Sequence, residues 1–210
     1  MDKIIRGVLH FQEHVFPDHQ ALFDGLASKQ TPDILFITCS DSRIDPNFVT
    51  QTRPGDLFIC RNAGNIVPPH SKATGGTTAS IEYAVAVLGV SHIVVCGHTN
   101  CGAMKGVINI KSLDSLPHVK EWLEHSRSAV EIVKAQSNVV DERQLRRVTE
   151  ENVLQQLQHL KTHPAVAAKL ATEELQLHGW MYEIDSGAVC CSDGEDRHFE
   201  PLKDYYECTV

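Results

Sequence analysis

Two short segments hold the residue types that can do chemistry: Cys39-Ser40-Asp41-Ser42-Arg43 and His98-Thr99-Asn100-Cys101. Together they offer two thiolates and an imidazole, a donor set that suits a borderline-soft ion such as zinc. Three protein ligands with one open position is how a catalytic zinc is held, whereas a structural site closes with four. A water in the open position has its pKa lowered to about 7, which gives zinc hydroxide as a nucleophile at neutral pH. Asp41 lies two residues beyond Cys39, near enough to compete for that position. Arg43 can hold it away through a bidentate pair, leaving Asp41 to accept a hydrogen bond from the hydroxide and orient it. The bland alternatives are a closed site or inert buried thiols for the cysteines, and a surface ion pair of little worth for Asp41 and Arg43.

For the two segments to meet, both must leave strands of one sheet. Each follows an apolar run: residues 33–38 read as a buried strand ending at Cys39, and 92–96 as another ending at Gly97-His98. In open α/β sheets, functional groups gather at the carboxyl ends of strands. Cys101 lies one helical turn past His98. Gly97 and Gly102 flank the second segment and let the backbone bend and approach closely.

The remaining elements follow from periodicity and punctuation. Apolar residues at helical spacing over 3–16 predict a helix that Pro17 ends, and 19–28 give a second. Asp45 caps a short helix begun by Pro46. Leu57–Cys60 is a strand, followed by the loop Arg61-Asn62-Ala63-Gly64-Asn65. A helix over 74–88 stops at Gly89. Further helices start at Pro117, span 142–162 with Leu145, Val148, Val153, Leu157 and Leu160 inward, and run from Pro164 to Leu175. A strand over 179–184 turns at Asp185-Ser186-Gly187 into 188–192, a hairpin signature. The alternation predicts an α/β fold: a central, mainly parallel β-sheet flanked by helices, with an N-terminal helical arm and a C-terminal β-hairpin extending the sheet. One domain over 1–210 is expected, made of an arm (1–30), an α/β core (31–110), a helical block (111–178) and terminal strands (179–210).

Composition removes other classes. A formal net charge of −8 disfavours nucleic-acid binding, and no basic run suggests a membrane surface. The apolar stretches are too short to cross a bilayer. The N-terminus lacks the apolar core and cleavage site of a secretory signal, so the cytoplasm is expected. Seven cysteines, an odd number without framework spacing, read as free thiols or metal ligands. Cys60 and Cys96 read as core; Cys190, Cys191 and Cys208 receive no role.

Taken with Glu82-Tyr83 and His178-Gly179-Trp180, these segments resemble the β-class carbonic anhydrases over about residues 3 to 202. The likeness points to bacterial and cyanobacterial members of the plant-like branch. It implies one zinc ion per subunit on Cys39, His98 and Cys101, with reversible hydration of carbon dioxide to bicarbonate and a proton. It implies that Asp41 and Arg43 pair in the active form, and that Asp41 is the fourth ligand in an inactive one. Gln30 matches the residue that hydrogen-bonds bicarbonate, Phe58 and Tyr83 match pocket aromatics, and Gly102 matches a backbone donor. Ala63 stands where plant enzymes often carry valine. The family also implies a pocket at a dimer interface, with N-terminal helices wrapping the partner, in a homodimer or dimer of dimers. A carboxysome-like compartment is a second location the family allows. A branch with an inhibitory bicarbonate site carries tryptophan where this chain has Phe36, so no such site is expected. His70 and His92 receive no proton-shuttle role. Two other functions fit the same residues: a carbonyl sulfide or carbon disulfide hydrolase, and a non-catalytic zinc or redox module.

Overall fold

The computed structural model describes residues 1–72, 74–137 and 141–206. Contacts divide the chain into two compact units, Met1–Thr31 and Pro32–Val210. In the first, α1 (Asp2–His10) runs through a wide turn at Phe11–Val15 into α2 (Phe16–Asp18), and α3 (Gln20–Leu26) follows. The rings of Phe11, Phe16 and Phe23 pack together, with Phe16 and Phe23 stacked at 5.1 Å. Ile4, Ile5, Val8 and Leu9 of α1 are all exposed. Pro17 does not end the helical run as its type predicts. It sits in the first turn of α2, directly after the widened turn. There its missing N–H costs little, because the regular i−4 ladder is already interrupted.

In the second unit, the apolar, β-branched run Ile34–Cys39 forms β1, as its composition favours. It pairs in parallel with β2 (Leu57–Asn62) on one side and β3 (His92–His98) on the other. Next come β4 (Gln176–Tyr182), parallel to β3, and then β5 (Val189–Ser192) and β6 (Glu200–Pro201), both antiparallel. The sheet order is β2-β1-β3-β4-β5-β6. The helices are α4 (Pro46–Thr50), α5 (Gly76–Glu82), α6 (Gly102–Ile108), α7 (Pro117–Leu123), α8 (Arg127–Ser137), α9 (Leu145–Lys161), α10 (Pro164–Ala171) and α11 (Leu202–Tyr205). Among the described residues no helix is long and apolar enough to cross a membrane.

Strand alternation sends Leu35 and Ile37 to one face, where they meet Ile81, Val153, Leu157, Leu160 and Val166 from the helices. Phe36, Val94 and Cys96 take the other face with Ile44. Beyond the strand ends a third cluster joins Cys39 and Cys101 to Met104, Leu123, Val133 and Val148.

Several boundaries differ from the sequence expectation. The helix from Pro164 ends at Ala171, because Glu173 takes a left-handed conformation (φ 57°). Leu175 is buried all the same, which explains its place in the apolar pattern. β4 begins at Gln176, three residues early, with Gln176 and His178 paired to His92 and Val94. Their polarity hid the strand's mouth. The strand stops at Tyr182, and the Ile184 N–H turns away to the Thr99 hydroxyl at 3.0 Å. Asp45 does cap α4, accepting from the Phe48 N–H; α5 continues as a widened helical segment over Tyr83–Leu88, which Gly89 stops in the left-handed region (φ 71°).

Gly97 shows where the fold tolerates no side chain. A Cβ there would lie 2.8 Å from Val153 Cγ2 and 3.1 Å from Thr149 Cγ2. Gly97→Ala should therefore lower unfolding stability by about 1–3 kcal/mol through overpacking. Denaturant titration checks this, and Val153→Ala in the same chain should recover part of the loss.

Candidate metal centre

The pairing of β1 with β3 sets Thr38 beside Cys96. Cys39 closes β1 and His98 closes β3, so both side chains arrive at one end of the sheet. A two-residue turn then delivers Cys101 to the start of α6. The turn needs Asn100 in the left-handed region (φ 56°), a conformation asparagine tolerates better than most residues. The ligand atoms of Cys39, His98 and Cys101 all lie within 4.8 Å of one another, and all three residues are buried.

Donor chemistry tests whether a metal fits. The two sulfurs are 4.0 Å apart, close to the separation of about 3.8 Å for two thiolates bound tetrahedrally to zinc at about 2.3 Å. His98 Nδ1 lies 2.9 Å from the Thr99 carbonyl. A carbonyl can only accept, so Nδ1 carries the proton and Nε2 turns its lone pair toward the thiols. Nε2 is buried with no hydrogen-bond partner among the described residues, a costly state unless something binds it. The three residues fit a zinc ion. Without metal, the hydrogen bond from Cys101 holds the Cys39 thiol well below its ordinary range against the opposing effect of burial, and Cys101 is pushed up in turn. The N–H groups of Asp41 and Gly64, each 3.4 Å away, also donate to the Cys39 sulfur. They draw off negative charge from a thiolate.

Asp41 and Arg43 form a bidentate pair, with Nε to Oδ1 at 2.9 Å and an Nη to Oδ2 at 2.7 Å. The Arg43 N–H adds a third bond to Oδ1 at 3.0 Å. These hydrogen bonds from Arg43 hold the Asp41 carboxyl well below the usual carboxylate range, so it is ionised. The Asp41 side chain is 17% exposed and that of Arg43 43%, so the carboxylate faces inward and the guanidinium outward. Asp41 Oδ2 is 3.9 Å from His98 Nε2. Arg43 also donates to the Asn100 carbonyl at 3.1 Å, which ties the two segments together.

The end of β2, which runs two residues further than expected, and the loop after it support the centre together with residues to which sequence reasoning gave no role. Arg61 donates to the carbonyls of Cys39, Asp41 and Ile44. Trp122 on α7 donates to the Ala63 carbonyl at 2.8 Å, and Asn152 on α9 to that of Gly64 at 3.1 Å. Gly64 has φ 84°, and a Cβ there would lie 2.9 Å from Ala103 Cβ. Arg61 belongs to the Arg61–Asn65 segment, whereas nothing in the sequence marks Asn152, whose burial on α9 only the structure shows.

The other expected site residues are placed less directly. Gly102 opens α6, and a Cβ there would meet nothing within 4 Å. Of the two flanking glycines, only Gly97 is therefore required by close packing. Phe58 and Tyr83 face each other, ring centres 6.0 Å apart. Phe58 packs with the Leu35 and Ile37 cluster rather than with Cys39. It lies four residues before Asn62, the partner of Cys39, or about 13 Å along the strand. This chain does not bring that aromatic pair to its own cluster. Gln30 lies in the stretch after α3, within the first unit, and is exposed. His92 opens β3, the end opposite His98, and bonds His178 at 3.1 Å. Cys60 and Cys96 are buried, with burial pushing the Cys96 thiol up to about 12. Phe36 packs edge-on against Trp180. Cys208 lies outside the described residues.

Residues 34–189 match the family model described as carbonic anhydrase. A carbonic anhydrase of Pseudomonas aeruginosa is 47% identical over 207 residues, 99% of this chain and 94% of that one. One from Synechococcus elongatus is 47% identical over 191 residues, covering 90% and 70%. The solved structure of the beta-carbonic anhydrase CcaA superposes with a TM-score of 0.92 at 44% identity, covering 96% of this chain and 98% of that one. A structure from a study of two tetrameric beta-carbonic anhydrases of Sordaria macrospora matches with a TM-score of 0.77 at 29% identity, covering 96% and 95%.

His98→Ala should leave the protein folded but depleted in metal. Elemental analysis of the purified variant, set beside its far-UV circular dichroism, checks this; a full metal complement would remove His98 from the ligand set.

Proposed function

The chain belongs to the β-class carbonic anhydrases, its activity is the reversible hydration of carbon dioxide, and from that premise we propose how its residues divide the work. The observation that carries the reading is His98 Nε2, buried and unpartnered beside two thiols, with an ionised carboxylate 3.9 Å away. Cys39, His98 and Cys101 would hold a zinc ion, which would acidify a water for attack on carbon dioxide.

Asp41 is the orienting acceptor. Ionised, it can only accept, so it takes the O–H of the attacking group and turns a lone pair toward the substrate carbon. Arg43 keeps both carboxylate oxygens engaged and so holds Asp41 out of the fourth position. The Gly102 N–H binds a bicarbonate oxygen, and Phe58, Tyr83 and Ala63 line the pocket. Water and carbon dioxide become bicarbonate and a proton, which leaves to buffer.

The place of Phe58 and Tyr83 far along the sheet from this chain's own cluster supports a pocket completed by a second copy. The exposed apolar face of α1 supports the same assembly, as an unpartnered patch of that kind marks an interface.

Asp41→Ala should keep its zinc and lose turnover by about 10²–10³-fold, the scale of one preorganised group at the reacting atoms; full carbon dioxide hydration by stopped flow in that variant would sink the assignment. Sedimentation should find a dimer or a multiple of it. A fully active monomer would exclude the shared pocket.

A further inference from the structure

An exposed ion pair is a weak restraint, and the Arg43 side chain is 43% exposed. Arg43 engages the carboxylate, and the turn that carries Asp41 has a restraint of its own. We propose that Arg61 is a positioning residue whose guanidinium clamps the Cys39–Ile44 turn through its carbonyls and thereby keeps the Asp41 carboxylate off the metal.

The geometry is specific. Arg61 leaves β2 opposite Thr38, on the strand next to the turn. Its Nε donates to the Cys39 carbonyl at 3.0 Å. One Nη donates to the Asp41 carbonyl at 2.7 Å and to the Ile44 carbonyl at 2.9 Å. The three acceptors bracket the Asp41–Arg43 pair on both sides. The planar fork of arginine fits such an array, and the point charge of lysine does not. Hydrogen bonds from a charged donor are also stronger than neutral ones. Further bonds agree with a fixed turn: the Ser40 N–H donates to the Asn62 carbonyl at 2.9 Å, and the Ile44 N–H to the Asp41 carbonyl at 3.3 Å. With the Asp41 backbone pinned at its own carbonyl, the side chain leaves from a fixed point within reach of the Arg43 fork, which holds the carboxylate. With the clamp removed, the turn can relax and carry Oδ2 the short way to the ligand atoms, from which it is separated by 3.9 Å at His98 Nε2.

The proposal rests on the metal reading of Cys39, His98 and Cys101, and its test separates the two. The full-length protein is loaded with cobalt(II), and thiocyanate, which competes for the open position, is titrated against the visible bands. In Arg61→Gln, Asp41 should occupy that position and thiocyanate affinity should fall about tenfold or more, the scale of losing charge-assisted hydrogen bonds. Adding Asp41→Ala to Arg61→Gln should restore the affinity, because the competing carboxylate is gone. General damage to the site would not be repaired that way. Arg61→Lys, which keeps a cation but not the fork, should fall between, and it carries the comparison if Arg61→Gln does not fold. Unchanged thiocyanate binding in the Arg61 variants overturns the proposal, as does a double variant no better than the single one. A wild-type protein that takes up no cobalt overturns the metal reading itself, and the proposal with it.

Discussion

Thr38 and Cys96 sit side by side in the parallel pairing of β1 and β3, and the Thr38 hydroxyl donates to the Cys96 carbonyl at 2.9 Å. Both residues are buried, so the hydroxyl has no water to turn to and its bond is obligatory. This cross-strand contact favours one register. A slip by a single residue would turn every side chain of β1 to the other face, carrying Cys39 away from Cys101 and Phe36 into the layer of α9. The Cys39-His98-Cys101 cluster depends on the strands stopping where they do, and that depends on this alignment. Gly97 beside it is bare because α9 lies against the strand.

Around the cluster the charges are arranged in depth. The thiols and imidazole are buried, the carboxylate is mostly shielded, and the guanidinium of Arg43 meets solvent. Two arginines do different jobs there. Arg43 spends its donors mainly on a carboxylate, and Arg61 spends its own on three carbonyls. The first sets the state of Asp41, and the second sets the path of the chain that carries it.

The Cys-His-Cys group and the α/β class were legible because both are written locally. A strand-end cysteine, a His-x-x-Cys pair after a second strand, and runs of apolar residues between glycines each announce themselves within a few positions. Helix and strand ends were harder. Pro17 misled because the helix before it widens, and Gln176 and His178 concealed the start of β4 because a strand's mouth can be polar. Supporting contacts were not legible at all. Nothing near Ala63 in sequence points to Trp122, and nothing near Gly64 points to Asn152. Such bonds exist only after the helices dock. Phe58 and Tyr83 show a different limit: their partnership is visible within one chain, but a pocket they would line for another copy is not.

The polar stripe on α9 has a consequence for the order of assembly. Asn152 holds the Gly64 carbonyl, Gln156 receives the Val67 N–H at 2.9 Å, and His159 reaches the Val67 carbonyl at 2.7 Å. Just past the helix, His163 takes the Pro68 carbonyl. The backbone from 64 to 68, one turn of which donates to the Cys39 sulfur, is thus held by residues made long after it. During synthesis from the N-terminus, a nascent chain that has emerged through residue 101 already contains Cys39, His98 and Cys101 but not the helix that shapes their surroundings. The contacts that fix the 64–68 backbone wait until residues 145–163 have been made.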